Sequence, residues 1–243
     1  MGGLGRDTVL GGIGADSIFG DRGNDHLSGE DGDDLLSGGG EIDTILGGVG
    51  NDIIFGGDFG DHLFGEEGND DISGDEGDDT IEGGDGADTL SGGLGRDSIS
   101  GGGQNDVIFG GDEDDELSGG DNDDVLSGGA GSDLLSGDAG DDTLTGGDGV
   151  DFFIIASGAG SDTITDLSTD VSDFDVIDLS GFEGVFSSPA EVLAAAAQDS
   201  DDVVIDLGGG QTLSLENTLL SDINESQLRL CLLYTSPSPR DRT

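Results

Sequence analysis

Aspartate recurs at every ninth residue, seventeen times without interruption: Asp7, Asp16, Asp25, Asp34, Asp43, Asp52, Asp61, Asp70, Asp79, Asp88, Asp97, Asp106, Asp115, Asp124, Asp133, Asp142 and Asp151. Carboxylates at a fixed period line up a few ångströms apart if the chain stacks at a multiple of that period, and they then repel. Residues 2–154 carry 40 Asp or Glu against three Arg and no Lys, a net charge of −37. A hard cation held by carboxylates and turn carbonyls removes the repulsion, and an oxygen-only ligand set favours Ca²⁺. Mg²⁺ fits less well, because it needs near-ideal octahedral geometry and keeps its waters. All seventeen aspartates are therefore candidate metal ligands.

The element that must position them is a nine-residue unit. The first copy is Gly2-Gly3-Leu4-Gly5-Arg6-Asp7-Thr8-Val9-Leu10 and the last Gly146-Gly147-Asp148-Gly149-Val150-Asp151-Phe152-Phe153-Ile154, 17 units with no insertion or deletion. Position 1 is always Gly, position 6 always Asp, and position 8 always apolar; position 4 is Gly in twelve units and Glu41, Phe59, Gln104, Glu113 or Asn122 in the rest. Glycines at positions 1, 2 and 4 permit positive φ and close backbone approach, so the first six residues are expected to form a tight turn. The last three alternate out, in, out, the shortest strand with one buried side chain. Two units then make one 18-residue coil. Coils stacked at about 4.8 Å bury the position-8 residues in a thin core between two parallel sheets, in a rod roughly 40 Å long. Units of the same parity lie above one another, so Asp7, Asp25 and Asp43 begin one column and Asp16, Asp34 and Asp52 the other.

This pattern resembles the RTX, or haemolysin-type, calcium-binding nonapeptide repeat over about two-thirds of the chain. The resemblance implies an all-β fold, a parallel β-roll (a β-solenoid) with Ca²⁺ held between successive turns on each side by position-6 carboxylates and turn carbonyls. Seventeen turns leave at most 15 inter-turn sites, and filling them would reduce the charge of the repeat block to about −7, tolerable for a small rod. A disordered Gly- and Asp-rich linker would not keep an apolar residue at every ninth position.

Little else in the chain points to chemistry. His26 and His62 both sit at position 7, facing outward and remote from any zinc-ligand set. HExxH, GxSxG and the phosphate-cradling glycine loop with its Lys are all absent, so no catalytic residue is assigned. The run Asp112-Glu113-Asp114-Asp115-Glu116 lacks the spacing, central Gly and final Glu of an EF-hand loop. Outward aromatics Phe19, Phe55, Phe64 and Phe109 are read as scattered surface residues. The whole-chain charge of −50 opposes nucleic-acid and anionic-membrane binding. No apolar run is long enough to span a membrane, and no small-molecule substrate suggests itself. A repeat starts directly after Met1 with no basic or apolar leader, so the chain reads as the C-terminal fragment of a longer protein without an N-terminal signal peptide.

Beyond Ile154 the period ends and a small, mostly β cap is expected over residues 155–230. Asp162-Thr163-Ile164-Thr165-Asp166-Leu167 and Asp175-Val176-Ile177-Asp178-Leu179-Ser180 read as strands, and Ser188-Pro189-Ala190-Glu191 opens a short helix running to Gln198. Val203 to Leu207, a Gly208-Gly209-Gly210 turn and Thr212 to Leu215 read as a hairpin, and Asp222 opens a last short helix. This flank is similar to the C-terminal region of RTX exoproteins, which caps the roll and carries an uncleaved signal read by a type I secretion channel. Residues 231–243 hold the only Cys and Tyr and two of the three Pro; they resemble a translated sequencing-library adapter and are set aside as an artefactual tail.

The expected function is calcium ion binding that drives the folding of the C-terminal part of a secreted, extracellular exoprotein. The alternative is a structural adhesin, surface-layer or matrix rod.

Overall fold

The structure is a computed structural model that describes residues 1–158, 160–170, 173–182 and 184–230. The artefact reading of residues 231–243 falls outside them. The chain winds as a parallel β-roll of about nine turns, with one 13-stranded and one 11-stranded sheet built from alternate strands. Only one α-helix is found among the described residues, Pro189–Ala195.

The strands are longer than the three residues expected. Thr8–Ile13, Ser17–Arg22 and His26–Asp31 set a six-residue pattern that begins at position 7 and continues through positions 1–3 of the next unit. The turn is confined to positions 4–6. The difference lies at position 1, whose glycine faces inward like position 8, so that a strand buries two alternate places instead of one. Paired strands match Thr80 with Ser98, Ile81 with Ile99, Glu82 with Ser100 and, beyond Gly83, Gly84 with Gly102, in one unbroken 18-residue register. Only a residue without a Cβ can turn inward there. A Cβ on Gly56 would lie 2.6 Å from Asp61 Oδ2 and 2.7 Å from the Gly74 carbonyl oxygen.

Position 8 supplies the core. From Ile18 to Phe153 each of these side chains is at most 3% exposed, and full burial of one Leu or Ile is worth about 1.5–3 kcal/mol. The core is one residue wide per strand, so every coil depends on its neighbours.

Both sheets run on past the end of the period. Asp162–Ile164 pairs in parallel with the preceding strand of its sheet, Leu144 opposite Ile164, and then with Gln211–Leu215. Gln211–Leu215 is antiparallel to Asp202–Gly208, the expected glycine hairpin, and Ala196–Asp199 forms the edge. On the other sheet Val176–Asp178 follows Phe152–Ile154, with Phe153 opposite Ile177, and Leu228–Arg229 comes last. The helix starts as expected, with Ser188 as N-cap and Pro189 in the first turn. It stops at Ala195 instead of reaching Gln198. The following four residues join the sheet, where the Gln198 side chain bonds the Asp202 and Thr218 carbonyls. The last short helix is a 3₁₀ turn, Glu225–Gln227, capped by Asn224 and not by Asp222.

Candidate metal sites

The seventeen aspartates stand in the two columns expected, and their carboxylates are tied to the backbone by a single recurring bond. The backbone N–H of each donates to Oδ1 of the aspartate one coil on: Asp25 to Asp43, Asp43 to Asp61 and Asp61 to Asp79, at 2.7, 2.7 and 2.6 Å. The ladder is unbroken from Asp7 to Asp151 on one side and from Asp16 to Asp142 on the other.

The second oxygen has no such partner. Oδ2 of every one of the seventeen except Asp16 is buried and accepts no hydrogen bond. Asp43, Asp133 and Asp151 are fully inaccessible. A buried, unsatisfied carboxylate oxygen is among the costliest groups a fold can contain, and here it recurs in every coil.

The surrounding oxygens are backbone carbonyls. The carbonyl of each position-1 glycine approaches the position-1 glycine one coil earlier, close to that unit's own Oδ2, as Gly74 does for Gly56 and Asp61. Position-4 carbonyls point into the next turn on the same side, so that Gly5 abuts Gly23 and Gly32 abuts Gly50. The backbone bonds between turns use the carbonyls of positions 3 and 6 and leave those of positions 4 and 5 without a donor. Among the described residues no three His, Cys, Asp or Glu side chains converge as a metal set, so a cation here needs these carbonyls. Orphaned carboxylate oxygens in each coil, together with turn carbonyls of positions 4 and 5 that have no donor, supply the oxygen-only chemistry that fits Ca²⁺.

Burial has a large effect on the acidity of the column. It pushes Asp61, Asp115, Asp124 and Asp151 up to about 7, with the backbone N–H from the preceding coil opposing the shift and neighbouring aspartates adding to it. Asp43, Asp52, Asp70, Asp79, Asp88, Asp97 and Asp106 rise to about 6 for the same leading reason. Asp133 and Asp142 are raised too. Without a cation, the columns hold protons where free carboxylates hold none.

Three features were not read from the sequence. The columns continue into the cap: the Asp142 N–H donates to Asp162 Oδ1 at 3.4 Å and the Asp151 N–H to Asp175 Oδ1 at 3.0 Å, at separations of 20 and 24 residues instead of 18. The D-x-apolar-x pattern at both places was the available signal, displaced by inserted residues. Position 2 is also left-handed, and Asp21, Glu30, Glu66, Asp75 and Asp138 adopt φ between 65° and 77° there, as strained as Glu41, Phe59, Gln104, Glu113 and Asn122 at position 4. An outer ladder runs at position 5, where Asp33, Asn51 and Asn69 accept from the backbone N–H of Asn51, Asn69 and Ala87.

One protein-family model agrees with this geometry. The description "RTX calcium-binding nonapeptide repeat (4 copies)" matches residues 1–36, 28–63, 46–81, 55–90, 64–99, 82–117 and 118–153. No curated protein matches the chain significantly. Among solved structures, the chain is similar to the AlgE6R3 subunit of the Azotobacter vinelandii mannuronan C5-epimerase, with 27% identity and a TM-score of 0.45, over 57% of this chain and 83% of that one. It is also similar to the extracellular lipase LipA of Serratia marcescens, with 21% identity and a TM-score of 0.34, over 79% of this chain and 40% of the lipase.

Proposed function

The chain belongs to the family of RTX calcium-binding nonapeptide-repeat proteins, and from that premise we propose that it is a non-catalytic β-roll whose folding is driven by Ca²⁺, the C-terminal part of a secreted exoprotein. The seventeen position-6 aspartates are the proposed carboxylate ligands, with up to fifteen ions between turns of the same side. The observation that carries this reading is the unbroken column of buried Oδ2 atoms with no hydrogen-bond donor.

The mechanism lies in what the residues do with and without the ion. Oδ1 closes the backbone between coils, while Oδ2 and the carbonyls of positions 4 and 5 are left without a donor. Calcium, when bound, supplies the positive charge that cancels the repulsion within a block of net charge −37. Without it the chain must either protonate its aspartates or separate them, and a core one residue wide does not hold the coils together against that repulsion. The calcium-free chain is then disordered and able to thread a narrow type I secretion channel. Extracellular calcium modules are tuned to about 10⁻⁴–10⁻³ M, so folding awaits export and opposes backsliding. Among the described residues no helix is long and apolar enough to cross a membrane.

Small-angle scattering tests this. In chelator the chain should show the radius of gyration of an unfolded 243-residue polymer, about 54 Å, and should contract on addition of millimolar Ca²⁺. Identical profiles with and without Ca²⁺ overturn the proposal.

A further inference from the structure

The fifteen gaps of the repeat array end at Asp142 on one side and Asp151 on the other, and the family match ends at residue 153. On the Asp142 side the structure continues the array by one more unit. After two inserted residues, Ile155 and Ala156, residues 157–165 repeat the nine-residue pattern with Ser157 at position 1, Gly158 at position 2, Gly160 at position 4, Asp162 at position 6 and Ile164 at position 8.

This unit reproduces the contacts of its predecessors. Gly160, at φ +144°, sits against the Gly140 carbonyl as earlier position-4 glycines sit against theirs. Ser161 donates its N–H to Asp141 Oδ1 at 2.8 Å, extending the position-5 ladder. Thr163 donates to the Asp142 carbonyl at 2.8 Å, matching Thr143 to Asp124 at 2.9 Å. Ile164 stacks on Leu144 in the core. Asp162 is 3% exposed, takes the Asp142 N–H on Oδ1, and leaves Oδ2 without a donor among the described residues. Asp142 Oδ2 is buried and unpartnered as well. This gap therefore presents the buried, unpartnered Asp142 Oδ2, the Asp162 Oδ2 that accepts no protein donor, and the Gly140 carbonyl, and it differs from most roll gaps in that Asp162 Oδ2 is not itself a buried orphan.

The Asp151 side ends differently. Asp175 takes the Asp151 N–H on Oδ1 at 3.0 Å and the Ser168 N–H on Oδ2 at 2.6 Å, so both of its oxygens are committed to protein donors. Among the described residues Asp151 Oδ2 is the one carboxylate oxygen of this pair without a donor.

Given the calcium reading of the roll, we propose that one further Ca²⁺ binds between Asp142 and Asp162, outside the repeat array, and that none binds between Asp151 and Asp175. The ceiling rises from fifteen to sixteen ions, eight on each side. The additional site ties the last roll turn to Asp162–Ile164, the strand from which the cap hairpin is hung.

A calcium-loaded crystal of the full chain, read by anomalous scattering, decides the matter without any substitution. A calcium peak between Asp142 and Asp162 and none between Asp151 and Asp175 is the expected result. Filled roll gaps with an empty Asp142–Asp162 gap, or ions at both ends, overturn the proposal; calcium in no gap at all removes the reading of the roll beneath it. In native mass spectrometry at saturating calcium, Asp162→Asn should bind one ion fewer than the parent and Asp175→Asn the same number. Equal counts for the two variants contradict the proposal.

Discussion

Gly56→Ala tests the account at its narrowest point. A Cβ at Gly56 would meet Asp61 Oδ2 at 2.6 Å and the Gly74 carbonyl oxygen at 2.7 Å, distances no real Cβ tolerates, so the Asp61 carboxylate must leave its place. The steric cost of overpacking is about 1–3 kcal/mol. Asp61 also serves two gaps, toward Asp43 and toward Asp79. At about 10 mM calcium, a site with a Kd of about 10⁻⁴–10⁻³ M contributes roughly 1.4–2.7 kcal/mol. Losing both sites brings the total to about 4–8 kcal/mol. Gly103→Ala is the control, because its Cβ meets nothing nearer than the Gly84 carbonyl oxygen at 4.0 Å; it should change stability by less than about 1 kcal/mol. Urea unfolding followed by circular dichroism reads both variants. The calcium-dependent share of the Gly56→Ala cost should shrink by about 2 kcal/mol when calcium is lowered from about 10 to about 1 mM. If Gly56→Ala behaves like Gly103→Ala, or its cost does not depend on calcium, position 1 does not guard the metal gap.

Three further outcomes follow from the same geometry. Burial holds eleven of the column aspartates, from Asp43 to Asp124 and Asp151, at about 6 to 7, well above their ordinary value of 3.8, so between those limits the folded calcium-free state binds more protons than the unfolded chain. Its stability is greatest below about pH 4 and is lost as pH rises through about 6–7, and because calcium must displace these protons the calcium midpoint should climb as pH is lowered from about 7.5 to 5.5; equal midpoints would contradict this. Phe59→Gly and Glu66→Gly each relieve a left-handed non-glycine residue and should raise stability by up to about 1 kcal/mol in thermal unfolding, an effect confined to Phe59 showing that position 2 carries no strain. Asp166 accepts the Gly146 and Gly147 N–H groups with its two oxygens, each at 2.9 Å, so Asp166→Ala should cost about 2–3 kcal/mol in urea unfolding without changing the number of ions bound.

The repeat was legible in the sequence because its constraints are local and periodic. Asp at position 6 and an apolar residue at position 8 give the columns, the core and the two parallel sheets directly. The role of Gly56 and its equivalents was only half legible: glycine signals positive φ or close approach, and the repeat alone does not say which of positions 1, 2 and 4 needs which. At position 1 the second holds, which is why the strands extend to six residues. Position 2 hid its strain behind acidic residues such as Glu30 and Asp75, which look like ordinary turn chemistry and in fact occupy φ values above 70°. Glu30 and Glu66 sit in turns that keep glycine at position 4, so left-handed non-glycine residues are distributed along the rod and not confined to the turns of Gln104, Glu113 and Asn122. Asp162 and Asp175 escaped because two and more inserted residues break the register that periodicity relies on, while backbone pairing restores it in space.

The central claim is that calcium folds this chain, and far-UV circular dichroism at neutral pH measures it directly. In excess chelator the spectrum should be that of a disordered polymer, and millimolar Ca²⁺ should convert it to β structure, reversibly on renewed chelation. A strong β spectrum that persists in excess chelator would contradict the account.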